Sequence, residues 1–332
     1  MQDERVDITV VMPTYKGMPL MKQSLESLLQ QTDVSFEVIV GNDCPTDEAT
    51  KIYLGEVQDS RLKVFHHPKN LGLFGNLNFL LKQAKGTIIH LWSQDDIMMP
   101  NCLSETVKFH KEYPNIAYAF CRVEVIDEHG KLIEKMPIGS NETMSRLTHD
   151  LTSILTGSVP GNIANVSIRK TVFEQYGYFR EDLKYSGDFE FWCRITDQLP
   201  AGIIQKHLIQ LRRHTGQLSR NPKMWIYRIQ ENDDIIKTFM ERVPKGNKKY
   251  LERGLLWRVY NQYFGLYLNL LRSGDYKEAK AFLKVIKKYS TVPGFYIRYS
   301  FLKGLSVFKK DKKFLHWLYY RKAFVVPNKI EK

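Results

Sequence analysis

Thr87-Ile88-Ile89-His90-Leu91-Trp92-Ser93-Gln94-Asp95-Asp96 decides how this chain is read. Thr87 to Trp92 is a short, mostly apolar run of the kind that forms a buried parallel strand. It ends in two adjacent carboxylates. In an open α/β sheet, ligands bind outside the carboxyl ends of the strands. Neighbouring carboxylates there repel, and a divalent cation relieves the repulsion. Asp95 and Asp96 therefore point to a hard-metal site that holds a ligand's phosphates. Taken alone, such a pair ahead of Pro100-Asn101 is more often a solvated turn or a helix cap. The sequence upstream reverses that preference.

Asp7-Ile8-Thr9-Val10-Val11-Met12, stopped by Pro13, reads as a first buried strand. Met21, Leu25, Leu28 and Leu29 share one face of a helix over 19–31. Phe36 to Val40 is a second strand, running into Gly41-Asn42-Asp43, and Thr46-Asp47-Glu48 opens a second helix through a cap and an acidic first turn. Leu62 to His66 is a third strand, and Gly72 to Ala84 a third helix with Leu73, Leu77, Leu80 and Leu81 on one side and Gly86 as its stop. Strands alternating with helices mean right-handed βαβ units and a parallel sheet. Pro13-Thr14-Tyr15, Asp43 and Asp95-Asp96 then converge on one rim, far apart as they are in sequence. No Gly-x-Gly-x-x-Gly follows the first strand and no Gly-x-x-x-x-Gly-Lys-Ser/Thr occurs. The rim is thus expected to hold a nucleotide diphosphate through a metal and side chains rather than a glycine loop.

The chain's 332 residues, 43% of them hydrophobic, can bury a large core in one or two domains. Cys44, Cys102, Cys121 and Cys193 show no CxxC spacing and read as free thiols of a reducing compartment. The charged opening Met-Gln-Asp-Glu-Arg-Val-Asp gives no sign of a signal peptide, and no apolar run approaches the ~20 residues of a spanning helix. The expectation is a protein that is soluble or lies on a membrane. Of the net charge of +13, residues 245–332 contribute 21 Lys/Arg against 5 Asp/Glu, and the rest of the chain 28 against 31. The basic character belongs to the C-terminal region alone.

Several pieces, in order, resemble the inverting family 2 glycosyltransferases of the GT-A fold. Val10-Val11-Met12-Pro13-Thr14-Tyr15 resembles their first strand and its Pro-x-Tyr/Phe loop, and Gln23-Ser24-Leu25-Glu26-Ser27-Leu28-Leu29-Gln30-Gln31-Thr32 their "SL-SLLQQT" helix. Glu37 to Asp43 resembles "EIIVVDD", Asn70-Leu71-Gly72 the "N-x-G" turn, and Ser93-Gln94-Asp95-Asp96 with Pro100 the "D-x-D-D…P" metal loop. Ser186-Gly187-Asp188-Phe189-Glu190-Phe191-Trp192 resembles the segment that carries the catalytic base. The likeness covers residues 6 to about 220.

The resemblance implies a Rossmann-like, mainly parallel α/β sheet flanked by helices, with a GT-A nucleotide-sugar-binding and catalytic domain over 1–222. It also implies residue roles. Pro13, Thr14 and Tyr15 would meet the nucleotide, Thr14 and Tyr15 at the base, by backbone and ring; Asp43 would accept a hydrogen bond from the base. Asn70 would lie near the nucleotide or diphosphate, and Asp95 near the ribose or the sugar. Asp96 would bind Mg²⁺ or Mn²⁺, and Asp188 would be the general base. Arg213 and His214, in a loop resembling the family's "R-x-H…S", would contact the diphosphate; Glu190 and Trp192 are further candidates for diphosphate or acceptor contact, although Trp192 also reads as core. Gly161 to Arg169 resembles an acceptor-side strand. Two positions depart from the pattern: Ser93 stands where the metal loop has its first Asp, and Gly187 where the base segment has Glu.

Breaking a sugar–diphosphate bond leaves charge that a cation and basic side chains stabilise. Inversion needs one base on the opposite face of the sugar, so one carboxylate suffices. The activity expected is therefore transfer of a sugar from a nucleotide-diphosphate donor, UDP-linked, to a glycan or lipid-linked acceptor. Alternatives are a nucleotidyltransferase and a non-catalytic sugar-nucleotide or glycan-binding scaffold.

The region 223–332 reads as helical and aromatic-rich, with a helix–turn–helix over Leu270 to Ala279. Over 295–326, Phe, Tyr, Trp and Leu mix with Lys309-Lys310, Lys312-Lys313 and Arg321-Lys322. That mixture suits an anionic membrane surface at the inner, cytoplasmic face of a membrane. It matches no nucleic-acid module, and no nucleic-acid partner is expected.

Overall fold

The computed structural model describes residues 6–320. Three βα units open the chain: β1 (Ile8–Thr14) with α1 (Leu20–Leu29), β2 (Phe36–Asn42) with α2 (Glu48–Glu56), and β3 (Leu62–His66) with α3 (Gly72–Gln83). β4 (Ile88–Leu91) returns beside β1, so β3, β2, β1 and β4 lie parallel, as their apolar runs predict. All of β1 and β2 is buried, as in strands covered on both faces. Met21, Leu25 and Leu28 of α1 and Leu77, Leu80 and Leu81 of α3 supply the covering apolar faces. Asp47 caps α2 by accepting from Thr50 N at 3.2 Å.

Beyond β4 the sheet becomes mixed. β5 (Ile97–Met98), α4 (Cys102–Glu112), β6 (Ala119–Ile126), β7 (Leu132–Lys135), β8 (Thr143–Met144), α5 (Arg146–Thr156), β9 (Val166–Arg169), α6 (Lys170–Tyr176), α7 (Gly187–Ile195) and β10 (Ala201–Arg212) follow. The spatial order is β3-β2-β1-β4-β9-β6-β10-β5. β9 runs antiparallel between β4 and β6, and β10 runs parallel to β6. The stretch expected to be an acceptor-side strand is thus the hinge that joins the parallel half of the sheet to the rest.

The chain forms two compact units. One takes in the residues up to Arg146 together with Pro160–Gln217; the other comprises Leu147–Val159 and the residues from Leu218 onward. The whole sheet lies in the first. A linear division at 222/223 does not anticipate Leu147–Val159: most of α5 interrupts the sheet-forming sequence yet belongs to the helical unit, where His149 lies against Phe239. That unit continues with α8 (Trp225–Arg242), α9 (Lys245–Gly254), a π-helical turn (Leu255–Val259), α10 (Tyr260–Arg272), α11 (Tyr276–Ile286), α12 (Val292–Val307) and α13 (Asp311–Leu315). α10 and α11 form the expected helix–turn–helix, turning at Gly274 with φ +81°. Phe264 stacks on Phe295 in its core. Among the described residues no helix is long and apolar enough to cross a membrane. Arg321 and Lys322, part of the basic stretch noted above, lie outside the described residues.

Two histidines are locked inside the sheet unit. His90 Nε2 lies 2.9 Å from Ala164 O, and His110 Nε2 lies 2.9 Å from Ser167 Oγ. Burial pushes His90 down to about 4; burial and then the Arg169 charge push His110 down to about 3. Both are neutral in the fold at pH 7. Below pH ~6.5 the unfolded chain takes up protons at these sites and the fold does not. Stability present above that pH is therefore lost as pH falls towards about 4, by about 1.4 kcal/mol per pH unit for each histidine. Urea titrations across this window should show that loss, and His90→Gln should flatten it; an unchanged slope in the variant would contradict the assignment.

Candidate active site

The site is built on the polar face of α1. Trp92 Nε1 donates to Ser24 Oγ (2.8 Å), and Ser24 Oγ donates to Ser93 O (2.9 Å). Met98 N donates to Ser27 Oγ (2.9 Å). Just past the helix, Gln31 Nε2 donates to Met99 O (2.9 Å), while its Oε1 accepts from Leu103 N (3.1 Å). Positions 24, 27 and 31 follow one side of the helix. They hold down the backbone that carries Asp95 and Asp96, which explains the Ser, Ser and Gln of this helix better than solvation does.

Gln94 joins the loop to the end of β1. Its Oε1 accepts from Thr14 Oγ1 (2.7 Å) and Tyr15 N (2.8 Å), and its Nε2 donates to Tyr15 O (3.1 Å). Pro13 and Thr14 are buried, whereas the Tyr15 side chain stands about half exposed on the rim with Lys16 Nζ over its ring. Asp43, at the end of β2, accepts from Leu71 N (2.6 Å) and Gly72 N (2.9 Å). Burial raises its pKa and those two bonds oppose the rise. Asn70, exposed, accepts from Gly72 N (2.8 Å), and Gly72 takes φ +76°, a conformation glycine adopts readily. Thr14, Tyr15, Asp43 and Asn70 thus frame the ends of β1 and β2. His66 and His67 bond Asn42 and Asn76 behind them.

The two carboxylates of the loop have opposite surroundings. Asp96 is 1% exposed; Oδ1 accepts from Arg212 N (2.8 Å) and Oδ2 from Ser93 Oγ. Burial, then the neighbouring Asp95 charge, push its carboxyl up to about 7. Asp95 instead turns to His214, with Oδ2 2.8 Å from Nε2 and both side chains partly exposed. Arg212, buried at the end of β10, stitches this arrangement together. Its side chain donates to Asp95 O (3.0 Å), Gln23 Oε1 (2.6 Å) and Glu128 O (3.1 Å). Gln217 Nε2 donates to Arg212 O (2.6 Å) and closes the loop that presents His214.

The donor set fits a divalent ion at Asp95 and His214: a carboxylate oxygen and an imidazole nitrogen in mutual reach on an open rim. Asp96, the ligand expected from sequence, is buried beside them with both carboxylate oxygens already accepting hydrogen bonds, from Arg212 N and Ser93 Oγ. Ser93 replaces a metal-loop Asp and supplies one of those bonds. Among the described residues no three His, Cys, Asp or Glu side chains are grouped to hold a metal. An ion here would share its coordination with substrate phosphates.

Asp188 lies half-buried in the first turn of α7, close enough to the fully buried Tyr118 to help raise that phenol's pKa, with burial the larger cause. Gly187 is dictated by packing: a Cβ there would meet the Phe74 ring at 2.6–2.8 Å. Other candidates from this region and the rim are engaged elsewhere. Trp192 has no exposed surface and packs on Tyr118, Phe179 and Phe191, so it offers no face to a sugar. Glu190 forms a two-pronged pair with Arg194 (3.0 and 2.9 Å), which also donates to Tyr178 O. Arg213 reaches Glu134 at 3.6 Å rather than the Asp loop. Sequence reasoning passed over Arg212 and Gln94. The first carried a signal in spacing, since Arg212 and not Arg213 stands two residues ahead of His214 as "R-x-H" requires; the second is an unspecified position between loop residues and carried none.

A family model described as "Glycosyl transferase family 2" matches residues 9–177. The chain belongs to glycosyl transferase family 2. This family 2 member is 24% identical over 239 residues to an uncharacterized glycosyltransferase of Rickettsia prowazekii, covering 72% of this chain and 73% of that one. A counterpart from Methanocaldococcus jannaschii is 25% identical over 267 residues, covering 79% and 87%. One from Rickettsia felis is 27% identical over 216 residues, covering 64% of this chain but only 35% of its own length. The fold is similar to S. aureus TarS 1-349 in complex with UDP-GlcNAc (TM-score 0.56, 18% identity, 86% and 93% covered). It is also similar to GalNAc-T7 with UDP, GalNAc and Mn²⁺ (TM-score 0.53, 14% identity, 73% and 57% covered). A mixed sheet flanked by helices and a C-terminal helical region are thus those of a GT-A protein.

Two substitutions test the scaffold of this family 2 site. Gln31→Leu removes the side-chain acceptor of Leu103 N and leaves Met99 O with only the longer bond from Cys102 N (3.3 Å), and should cost about 2 kcal/mol in chemical denaturation. Gly187→Glu, which restores the carboxylate of the family's segment, should destabilise by about 1–3 kcal/mol through its clash with Phe74. A neutral result for either would contradict the packing described.

Proposed function

We propose that this chain moves a sugar from a nucleotide-diphosphate donor, UDP-linked, to a hydroxyl of a glycan or lipid-linked acceptor, with inversion at the anomeric carbon. The observation that carries the reading is the Asp95–His214 pair, at 2.8 Å, beside the Thr14–Tyr15 loop that Gln94 secures. Membership of the family supports transfer over a nucleotidyltransferase. UDP or UDP-GlcNAc in the solved structures of similar fold supports the donor class.

Tyr15 and Asp43 hold the base, and Asn70 lies near the nucleotide. A divalent ion, Mg²⁺ or Mn²⁺, held by Asp95 and His214 would neutralise charge developing on the diphosphate. Asp188 accepts the proton of the acceptor hydroxyl as its oxygen bonds to the anomeric carbon and the bond to the diphosphate oxygen breaks. Arg212 and Asp96 are positioning residues that set Asp95. The exposed Ile297, Phe301, Phe308 and Trp317, among Lys309, Lys310, Lys312 and Lys313, support contact with an anionic membrane at its cytoplasmic face.

Screening UDP-sugars with the purified chain should reveal turnover that Asp188→Asn lowers about 10²–10⁴-fold while UDP affinity stays unchanged. The product's anomeric configuration, read by NMR, should be opposite to the donor's. Retention of configuration, or wild-type turnover in Asp188→Asn, would overturn the mechanism. UDP binding without any turnover would favour the scaffold reading.

A further inference from the structure

The helical unit contains a cavity of about 380 Å³ between α8, α10 and α12, lined by Arg228, Arg272 and Lys303 with Gln262, Asn269 and Tyr299 among the neutral lining groups. None of its lining residues is acidic. Among the described residues neither Arg272 nor Lys303 is ion-paired; Lys303 Nζ lies over the Tyr299 ring at 5.7 Å. Gathering cations around one concavity raises its potential, and a bound anion relieves the repulsion. The Arg272 guanidinium presents forked donors suited to phosphate oxygens, and the amides and phenol add neutral hydrogen-bonding groups. Gly265 keeps the wall thin: a Cβ there would press on Tyr299 at 3.1 Å. The volume falls at the small end of ligand pockets, large enough for a phosphorylated group rather than a bare ion.

We propose that this cavity is a binding site for a phosphomonoester or diphosphate group. It goes beyond the transfer reaction, whose residues all lie in the sheet unit. The excess of lysine and arginine over 245–332 would draw such anions towards it.

The probe is inorganic pyrophosphate, titrated calorimetrically into the full chain in EDTA and moderate salt. Arg272→Gln and Lys303→Gln, both exposed and so able to fold, should each weaken binding at least tenfold, whereas Asp95→Ala should leave it unchanged. Loss in Asp95→Ala with retention in the two cation variants, or no binding at all, would overturn the proposal. Competition then separates the sources. Displacement by monomeric dihexanoyl-phosphatidic acid, a phosphomonoester, would support the site as one for a lipid headgroup; displacement by glucose 1-phosphate alone would support it as one for a soluble phosphate.

Discussion

Two adjacent carboxylates at the end of one buried strand are the constraint on which the rest of this site depends. Left side by side on the rim, Asp95 and Asp96 would repel each other. The fold separates their roles. Asp96 turns inward and is held by Ser93 Oγ and the Arg212 amide, and its carboxyl is raised to about 7. Asp95 turns outward to His214. The segment that satisfies Asp96 lies more than a hundred residues downstream, at the end of β10. The end of that strand thus satisfies Asp96 and leads directly into the loop that carries His214. The Arg212 side chain extends the tie to Gln23 of α1, the helix whose Ser24 and Ser27 hold the same loop from the other side.

This arrangement gives a physical reason for both departures from the family pattern. Ser93 trades a third carboxylate for a hydroxyl that can donate to Asp96. Gly187 yields its side-chain space to Phe74. Each change lowers the acidity of the rim and leaves Asp95, His214 and Asp188 in place.

The parallel half of the sheet was legible because each strand is a compact apolar run and each helix an amphipathic one. Those periodicities survive whatever packs around them. The mixed half was not. β9 is short and its antiparallel pairing with β4 and β6 leaves no mark on its own composition. α5 resembles any amphipathic helix, and nothing local shows that it joins the helical unit. At the site, residue types were readable but directions were not. Asp95 and Asp96 are identical in kind, and their division of labour depends on Ser93, Arg212 and His214. Trp192 and Glu190 looked available because sequence does not reveal that aromatic packing and Arg194 already engage them.

In the proposed function Asp95, with His214, binds the ion while Asp96 organises the loop. The most direct measurement is calorimetric titration of UDP in Mn²⁺ and in EDTA for the wild type, Asp95→Asn and Ser93→Ala. The account predicts Mn²⁺-dependent binding in the wild type, its loss in Asp95→Asn, and its survival, weakened, in Ser93→Ala. Mn²⁺-dependent binding that persists undiminished in Asp95→Asn would contradict it.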